Sequence, residues 1–405
     1  MAAPLDAAAL LRAGQSGGAA GRHPAAPVAA GGGCIPEQGR SPEVNLGTTR
    51  SAAPPARSTV ERFSVIIPNW NGARFLPTCL DALARQTYPD LEVIVVDNAS
   101  ADESRALLRE GYAWVKVVEL PENRGFTGAC NAGILASTGG FVALLNNDTE
   151  VDPEWAAAVV NAFRRHPECG IVASKMLLFD RRDHIHTAGD YFTLDGRAGN
   201  RGVWQRDDER FSREVYVFSA CGGSSAYRRS MLDEIGLLDD DFFFSLEDID
   251  LAWRAQLSGW RCLYTPKAIV YHHLSATGGG VTASYYDGRN LIFTLVKNYP
   301  GALWRKYGLR IFQAQFKLAW EAVQAWRGAA ARARLRGMLA GVWQIPMMLR
   351  KRKAVQQMRR VSIESLEALL SVEFMDVSSS SSTSEERKSV ESTNPASSFH
   401  RHSGT

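Results

Sequence analysis

The protein has 405 residues, a formal net charge of +3 at pH 7 and 45% hydrophobic residues. This length allows two or three domains. No stretch approaches the roughly 18 consecutive apolar residues of a membrane-spanning helix, and the six cysteines are spread along the chain without a CxxC pair. The composition therefore argues against a spanning anchor, a zinc knuckle and a disulfide framework, and the cysteines are expected to be reduced and mostly buried.

The two ends of the chain differ in composition from its middle. Residues 1–58 are rich in Ala, Gly, Ser and Pro, and residues 373–405 contain the run SSSSSTS. Both segments offer few large apolar side chains to offset the entropy of ordering, so they are predicted to be disordered. The first residues, MAAPLDAAALLRAGQSGG, lack the basic start and the sustained apolar run of a secretory signal. A cytoplasmic location is therefore expected.

Short apolar runs alternate with helical patterns between these ends. The predicted strands are Phe63–Pro68, Leu91–Asp97, Val115–Leu120 and Phe141–Asn146. The predicted helices are Phe75–Thr87, Asp102–Glu110 and Thr127–Ala136. This alternation predicts a Rossmann-like, doubly wound α/β domain with a mostly parallel sheet. Beyond Trp155 the pattern is mixed, with short strands such as VYVFSA and CLYTP that complete the same domain.

Polar residues collect where the predicted strands end, which is where ligands bind in such sheets. Pro68, Asn69 and Asn71 follow the first strand, and Asp97 and Asn98 follow the second. A carboxylate at this edge can accept hydrogen bonds from a base or a ribose. In the run ENRGFTGACNAG, Gly125 permits a ligand to approach the backbone closely, and Arg124 can pair with phosphate.

The run LLNNDTEVDP leads from an apolar strand directly into Asn146, Asn147 and Asp148. One interpretation is a hard-cation site, in which Asp148 and an amide oxygen bind Mg²⁺ or Mn²⁺ that bridges the phosphates of a nucleotide diphosphate. The alternative is an Asx turn that caps the following helix. His272, at the end of the strand-like run PKAIVYHH, is a further candidate for a metal ligand or a phosphate donor. The GGG that follows suits a lid.

Glu247 and Asp248 follow an aromatic run and begin a helical pattern. Adjacent carboxylates after apolar residues are costly unless they are used, and one of them can act as the general base toward an acceptor hydroxyl. The alternative is a helix N-terminus at which acidic residues are favoured by the dipole.

With these elements in this order, the chain resembles the family 2 glycosyltransferases of the GT-A fold, particularly rhamnosyltransferase-like enzymes of O-antigen and cell-wall polysaccharide assembly. The resemblance covers Phe63 to Asn298, within a predicted catalytic domain of residues 62–298. It is carried by the motifs SVIIPNWNG, VIVVDNAS, ENRGFTGACNAG, LLNNDTEVDP, CGGSSAYRR, GLLDDDFFFSLEDIDLAWR and VYHHLSATGG.

The resemblance implies an inverting transferase that uses Mn²⁺ or Mg²⁺ and a nucleotide-diphosphate sugar, with a saccharide or lipid-linked acceptor. It implies that Asp248 is the catalytic base and that Glu247 supports it. The metal ligands would be Asp148, Asn146 and His272. Asn146 replaces the first Asp of the family's DxD motif. The implied nucleotide-sugar-binding residues are Pro68, Asn69, Asn71, Asp97, Asn98, Arg124, Gly125, Asn131, Asn147, Gly222 and Gly223. The QxxRW signature of processive synthases is missing, so transfer of one or a few sugars is expected.

Residues 299–372 are predicted to form a basic amphipathic helical extension. Residues 301–360 hold 14 Lys and Arg against one acidic residue, Glu321, and Trp and Phe recur among them at helical spacing. This pattern favours a helix lying at the anionic inner face of the cytoplasmic membrane. The alternative is a solvated cap on the catalytic domain or a dimer contact, and the sequence leaves the oligomeric state open. Nucleic-acid binding fits the catalytic motifs poorly.

Two other functions remain open at this point. A nucleotidyltransferase also builds metal and nucleotide sites on a doubly wound sheet, although the run IIPNWNG lacks the basic Gly-rich signature that such an enzyme would carry near its first strand. A catalytically inactive carbohydrate-binding or scaffold protein could keep the fold, with Asn146 marking a lost metal site.

Overall fold

A computed structural model of the chain describes residues 61–273 and 280–371. The segments predicted to be disordered, 1–58 and 373–405, lie outside these described residues, as does most of the predicted glycine-rich lid after His273.

The centre of the described chain is a mixed sheet of ten strands, in the order β10-β12-β6-β11-β4-β1-β2-β3, with β5 paired to β12 and β7 paired to β6. Parallel pairing joins β4, β1, β2 and β3, and also β6 and β12, while β11 runs antiparallel between the two groups. A separate hairpin pairs β8 with β9. The strands are β1 (Phe63–Asn69), β2 (Leu91–Asp97), β3 (Lys116–Glu119), β4 (Phe141–Leu145), β5 (Thr149–Val151), β6 (Cys169–Leu178), β7 (Ile185–Thr187), β8 (Asp190–Phe192), β9 (Ala198–Asn200), β10 (Val215–Val217), β11 (Ser224–Arg228) and β12 (Arg261–His272).

Helices cover both faces of the sheet. They are α1 (Leu76–Ala84), α2 (Ser104–Gly111), α3 (Gly125–Ala136), α4 (Trp155–Arg165), α5 (Arg229–Ile235), α6 (Glu247–Ser258), α7 (Gly280–Asn298), α8 (Gly301–Gln324), α9 (Ala329–Trp343), α10 (Ile345–Gln357) and α11 (Ile363–Leu370). Successive side chains of a strand point to opposite faces. Val65 and Ile67 of β1 accordingly pack with Trp155 of α4, whereas Ile66 packs with Ile134 of α3 on the other face.

The predicted elements of the first half are close to those observed. The strand Leu91–Asp97 is confirmed to the residue, and the first strand extends one residue further, to Asn69. The first helix ends at Ala84 rather than Thr87, because the chain then turns toward the Tyr88–Pro89 step, and the residue before a proline disfavours helical geometry. The antiparallel strand β11 between parallel neighbours was not predicted.

The predicted C-terminal helical extension is confirmed, and its described residues form four helices, α8 to α11, while its contact with a membrane stays a prediction. Of the residues that suggested it, Tyr307 is buried and Trp304 donates its indole N–H to the Leu295 carbonyl. The extension packs on α7 through glycines: a Cβ at Gly337 would lie 1.9 Å from the carbonyl oxygen of Tyr285. The predicted boundary at 298/299 falls in the turn between α7 and α8. In the described residues, no helix has both the length and the apolar character needed to cross a bilayer.

Candidate active site

A cavity of about 380 Å³ lies at the carboxyl ends of the parallel strands β1 and β4. Ten of the residues singled out in the sequence line it: Pro68, Asn69, Asn98, Gly125, Asn146, Asn147, Gly222, Gly223, Glu247 and Asp248. Sequence reasoning missed the rest of the lining, which is Trp70, Asn123, Phe126, Cys221, Phe243, Phe244 and Thr282. Residues far apart in the chain therefore converge on one concave site, as a small-molecule pocket requires.

The other residues singled out lie outside this lining. Asp97 is fully buried and pairs with Arg105 at 2.6 Å. Asn71 accepts a hydrogen bond from the Ala101 backbone N–H at 2.7 Å. Asn131 binds both the backbone N–H and the carbonyl of Leu238, which ties α3 to the loop before α6. Arg124, Asp148 and His272 also lie outside the lining.

The two adjacent carboxylates begin helix α6 but have unequal surroundings. Asp248 accepts hydrogen bonds from the backbone N–H groups of Gly222, at 2.8 Å, and of Ile249, at 2.7 Å. Glu247 is 5% exposed, and its Oε2 atom has no hydrogen-bond partner among the described residues. Burial raises the pKa of both groups, and the neighbouring Asp248 charge raises that of Glu247 well above its usual range. Because Asp248 accepts two backbone N–H groups whereas Glu247 Oε2 has no donor among the described residues, the charge of the pair is better stabilised on Asp248 and the proton on Glu247.

Gly222 creates the space for this pair. A Cβ at that position would lie 3.2 Å from Glu247 Oε1 and 3.4 Å from Asp248 Oδ2. At these distances a side chain would press on both carboxyl groups, so the run CGG serves the site by keeping its backbone close to them.

The loop before α6 is strained. Phe243, Ser245 and Leu246 all have φ between 62° and 68°, a conformation that is costly for side chains of this size. Asn290 of α7 holds the loop with its Nδ2 group, which donates to the carbonyls of Phe244 at 2.8 Å and of Ser245 at 2.6 Å. Such strain persists only where the surroundings fix it, and it is typical of functional sites.

Arg289 and Asn290 are thus structural parts of the site that sequence reasoning missed. Arg289 donates to the carbonyls of Asp241 and Phe242, each at 2.7 Å. The available signal was an Arg-Asn pair placed within the otherwise apolar helical run YYDGRNLIFTLV. Nothing in that run indicates which loop the pair contacts.

Two of the candidate metal ligands lie together outside the cavity lining, and one of them, Asp148, directly follows Asn147 of that lining. Asp148 Oδ1 lies 3.1 Å from His272 Nε2, and both side chains are buried. This distance is that of a hydrogen bond, and an octahedral ion with ligand bonds of about 2.1 Å also holds neighbouring ligand atoms about 3 Å apart, so the spacing is compatible with a shared Mn²⁺ or Mg²⁺. Asn146 adds an amide oxygen at the cavity wall. The donor set of carboxylate, amide and imidazole suits Mn²⁺. It suits Mg²⁺ less well, because Mg²⁺ has a weaker preference for nitrogen ligands.

A second histidine supports this group and was missed in the sequence. His186 Nδ1 lies 3.0 Å from His272 Nδ1, so His186 can accept the N–H of His272 and leave Nε2 free to bind a cation. Burial and the neighbouring His272 lower the pKa of His186 to about 3, which keeps its ring neutral. The run HIHTAGD carries this residue far from the other motifs.

A different set of potential ligands lies beside the base. The donor atoms of Asp190, Cys221 and Asp248 are all within 4.8 Å of one another. Burial and the Asp248 charge raise the pKa of Asp190 to about 8, and burial raises that of the Cys221 thiol well above its usual range. A protonated thiol is a poor ligand for a hard cation. The Asp148 and His272 pair therefore fits the metal better than this cluster does.

Comparison with known proteins agrees with this geometry. Residues 64–236 match glycosyl transferase family 2. The chain carries a glycosyl transferase family 2 domain. The match and the mostly parallel sheet confirm the fold class and the resemblance inferred from the motifs.

Curated relatives of this family 2 domain include proteins of polysaccharide assembly. The chain is 25% identical over 224 residues to the poly-beta-1,6-N-acetyl-D-glucosamine synthase of Staphylococcus epidermidis, covering 55% of this chain and 52% of that protein. It is 29% identical over 264 residues to the O-antigen biosynthesis protein RfbC of Myxococcus xanthus, covering 60% of this chain and 20% of that protein. The chain thus spans about half or less of the length of these relatives.

Among solved structures, the chain is similar to the mannosyltransferase PcManGT of Pyrobaculum calidifontis in complex with GDP-Man and Mn²⁺. The identity is 19%, the TM-score is 0.45, and 76% of this chain and 78% of that one are covered. For residues 1–349 of Staphylococcus aureus TarS the identity is 17% and the TM-score 0.46, with 73% and 90% covered. Because these overall similarities are low, the family assignment depends on the sequence match.

Proposed function

We propose that the protein is an inverting, metal-dependent glycosyltransferase that moves a sugar from a nucleotide-diphosphate donor to a saccharide or lipid-linked acceptor in polysaccharide synthesis. The observation that carries this proposal is the carboxylate of Asp248, which lines the cavity of a family 2 domain and accepts hydrogen bonds from two backbone N–H groups beside Glu247.

Each part of the cavity has a role in this mechanism. The strand-end amides Asn69 and Asn98 line the part of the cavity proposed to take the nucleotide, and Gly125 brings backbone close to it. Asn146, Asp148 and His272 would hold Mn²⁺ or Mg²⁺, which when bound neutralises charge that develops on the leaving diphosphate. Asn131 and Asn71 act on the donor only through the loops that they fix.

Asp248 takes the proton of the acceptor hydroxyl while that oxygen attacks the anomeric carbon and the bond to the diphosphate breaks. A single base acting on the face opposite the leaving group gives inversion, and no covalent intermediate with the enzyme is needed. Glu247, protonated, can donate a hydrogen bond to a sugar hydroxyl.

The test is release of nucleoside diphosphate from a panel of UDP-, dTDP- and GDP-sugars, with Mn²⁺, with Mg²⁺ and with chelator. We expect one donor to turn over in a metal-dependent manner and Asp248→Asn to lose at least 10²-fold in rate. Asp233→Asn, which changes an exposed aspartate of α5 in the same way, is the matched control and should keep full activity. Full activity of Asp248→Asn would refute the assigned base, and binding without turnover would favour a carbohydrate-binding scaffold.

The C-terminal helices supply a proposed site of attachment to the cytoplasmic face of the membrane. Helix α8 exposes Phe312 by 67%, Phe316 by 62% and Trp320 by 53%, within the strongly basic segment 301–360. Exposed aromatic side chains among Lys and Arg suit the interface of an anionic leaflet. Binding of the protein to anionic but not to neutral vesicles, measured by co-sedimentation, would support this attachment. Equal binding to both would refute the electrostatic part.

A further inference from the structure

A second cavity, larger and more apolar than the catalytic one, lies among the helices of the C-terminal extension. It measures about 930 Å³ and is lined by residues of α7, α8 and α9. The lining is almost entirely hydrocarbon, with Leu295 from α7, Ile311 and Phe316 from α8 and Leu335 from α9. We call this cavity the helical groove. Its size and lining are those of a site for an apolar ligand.

The helical groove is built into the fold rather than formed by loose packing. Glycines bring α9 against the backbone of α7: a Cβ at Gly337 would collide with the Tyr285 carbonyl, and one at Gly341 would lie 2.9 Å from the Arg289 carbonyl oxygen. These close contacts fix the spacing of two of the helices that line the groove. The walls formed by α7 and α9 are therefore held at a fixed spacing before any ligand binds, which lowers the cost of binding.

Helix α7 joins the helical groove to the catalytic cavity. Thr282, near the start of α7, lines the catalytic cavity, while Ile292 and Leu295 of the same helix line the groove. Thr282 and Ile292 are ten residues apart, which corresponds to about 15 Å along an α-helix. A single ligand could thus place an apolar chain in the groove and a polar end toward the catalytic site.

The charge around the helical groove selects the class of ligand. Arg332 and Arg336 are part of its lining, and residues 301–360 contain 14 basic residues and one acidic residue. A second copy of the chain would bring the same basic face against itself, which is unfavourable in a symmetric contact. The chain's own ends, residues 1–58 and 373–405, are dominated by small and polar residues and offer few large apolar side chains. A hydrocarbon chain with an anionic head matches both the lining and the charge.

We propose that the helical groove binds the hydrocarbon chain of a lipid phosphate that carries the acceptor sugar. The role as acceptor rests on the proposed glycosyl transfer, whereas binding of the chain does not. The groove then selects acceptors by their lipid part, and Arg332 and Arg336 lie next to the phosphate.

Calorimetric titration of the full-length protein with dodecyl phosphate, below its micellar concentration, tests the binding. We expect saturable one-to-one binding, no comparable binding of inorganic phosphate, and weaker binding of dodecyl maltoside, which has a neutral head. Ala319→Trp places a large ring in the groove and should weaken binding of dodecyl phosphate at least tenfold. Leu309→Ala removes an exposed apolar side chain of the same helix that lies outside the lining, and should leave binding unchanged.

Phe316→Ala is the second groove variant, because Phe316 is 62% exposed and its removal should not disturb folding. Lack of saturable binding, equal loss with Leu309→Ala, or equal binding of inorganic phosphate would overturn the proposal. So would a concentration-dependent dimer that dissociates in Ala319→Trp, because it would assign the groove to a second copy of the chain.

Kinetics separate this proposal from the proposed function. With sugars offered free and as dodecyl diphosphates, we expect a lower acceptor KM for the chain-bearing form, and Ala319→Trp should remove this advantage without changing kcat. Donor turnover without any advantage of the chain would overturn the acceptor role of the groove and leave the transferase proposal standing. Binding of dodecyl phosphate without turnover of any donor would overturn the transferase proposal and the acceptor role together.

Discussion

Glu247 and Asp248 are adjacent in sequence, yet their different surroundings give them different proposed roles. Asp248 receives two backbone N–H groups, whereas Glu247 keeps a buried oxygen without a partner among the described residues. Two close carboxyl groups in an apolar site do not both ionise at neutral pH. We therefore assign the proton to Glu247 and the role of base to Asp248.

This assignment predicts a pH profile. Asp248 acts as a base only when it is ionised, and burial raises its pKa. The rate should therefore rise with pH through an acidic limb that lies above the ordinary aspartate pKa of about 3.9 and should then level off.

Glu247→Gln, which mimics a protonated Glu247, should retain activity within about tenfold, whereas the smaller Glu247→Ala should lose more. An activity loss in Glu247→Gln as large as that of Asp248→Asn would show that the ionised group is Glu247.

His186 is predicted to position His272 for the metal. His186→Phe keeps an aromatic ring but removes the acceptor for the His272 N–H, so Mn²⁺ affinity should fall about 10- to 100-fold. Titration of Mn²⁺ by electron paramagnetic resonance measures this affinity without turnover. His166→Phe, which changes a partly exposed histidine that contacts Glu168 and Glu214, is the control and should bind Mn²⁺ normally. Unchanged affinity in His186→Phe would leave His186 with a packing role only.

At the scale of elements, the position of the proposed catalytic carboxylates depends on a strained loop and on the helix that fixes it. The loop Phe243–Leu246 aims α6 at the cavity, and Asn290 of α7 satisfies its carbonyls. Helix α7 therefore belongs to the active site although it is close to the C-terminal extension in sequence. It also lines the helical groove, which gives the same element contact with both cavities.

Asn290→Ala should release this loop. It removes the side-chain donor of the Phe244 and Ser245 carbonyls, whereas the Phe242 carbonyl keeps Arg289, and each unsatisfied buried group costs about 1–3 kcal/mol. We expect a lower free energy of unfolding and a kcat at least tenfold lower, with UDP affinity nearly unchanged because the strand-end residues are intact. Gln313→Ala, an exposed amide on α8, is the control. Normal kcat in a destabilised Asn290→Ala protein would separate the loop from catalysis.

At the scale of the whole molecule, a buried ion network joins the catalytic helix to the C-terminal helices. Lys297 of α7 lies 2.6 Å from Asp239 and 2.8 Å from Asp250 of α6, and Lys351 of α10 lies 2.5 Å from Asp239. Burial alone would raise the pKa of Asp250, but the charges of Lys297 and then Arg254 hold this pKa below its usual range. The C-terminal helices are thus coupled to the catalytic helix by charge as well as by packing.

Lys297→Met should destabilise the protein by about 3–5 kcal/mol, because it leaves Asp250 buried with a weakened set of partners. Urea unfolding monitored by tryptophan fluorescence measures the change. Lys317→Met, which removes an exposed lysine 4.0 Å from Glu321, should change stability by less than about 1 kcal/mol. Similar values for the two variants would show that the buried network contributes little.

The same network predicts acid lability. Burial alone would raise the pKa of Asp239, but Lys297 and Lys351 lower this pKa to about 2. A carboxylate whose pKa is depressed by folding stabilises the protein above its unfolded pKa of about 3.9. That contribution should be lost as the pH falls from about 4 toward 2, and it should be smaller in Lys297→Met when unfolding is followed across this range.

The sequence predicted the first half of the fold because its signals are local. The runs FSVIIP and LEVIVVD are apolar on both faces, as buried parallel strands are, and the residues after them had to lie at one edge of the sheet. That rule predicted one polar edge of the sheet that includes Asn69, Asn98 and Asn147, and all three line the cavity. The motifs also pointed to the family that the comparison confirms.

Tertiary structure decided what depends on contacts between distant residues. Three features join positions that no local pattern relates. His186 pairs with His272, and Asn290 donates hydrogen bonds to the Phe243–Leu246 loop. Glu247 and Asp248 have unequal environments because Asp248 accepts a hydrogen bond from a distant part of the chain. The helical extension predicted near the C-terminus forms four helices with a groove in the described residues, because periodicity shows which residues share a helix face but not what that face meets. Sequence by itself determined the parallel strands of the first half, the sheet edge and the family, since those follow from local burial and spacing. Hydrogen bonds and packing across the folded chain decided which carboxylate is free to act.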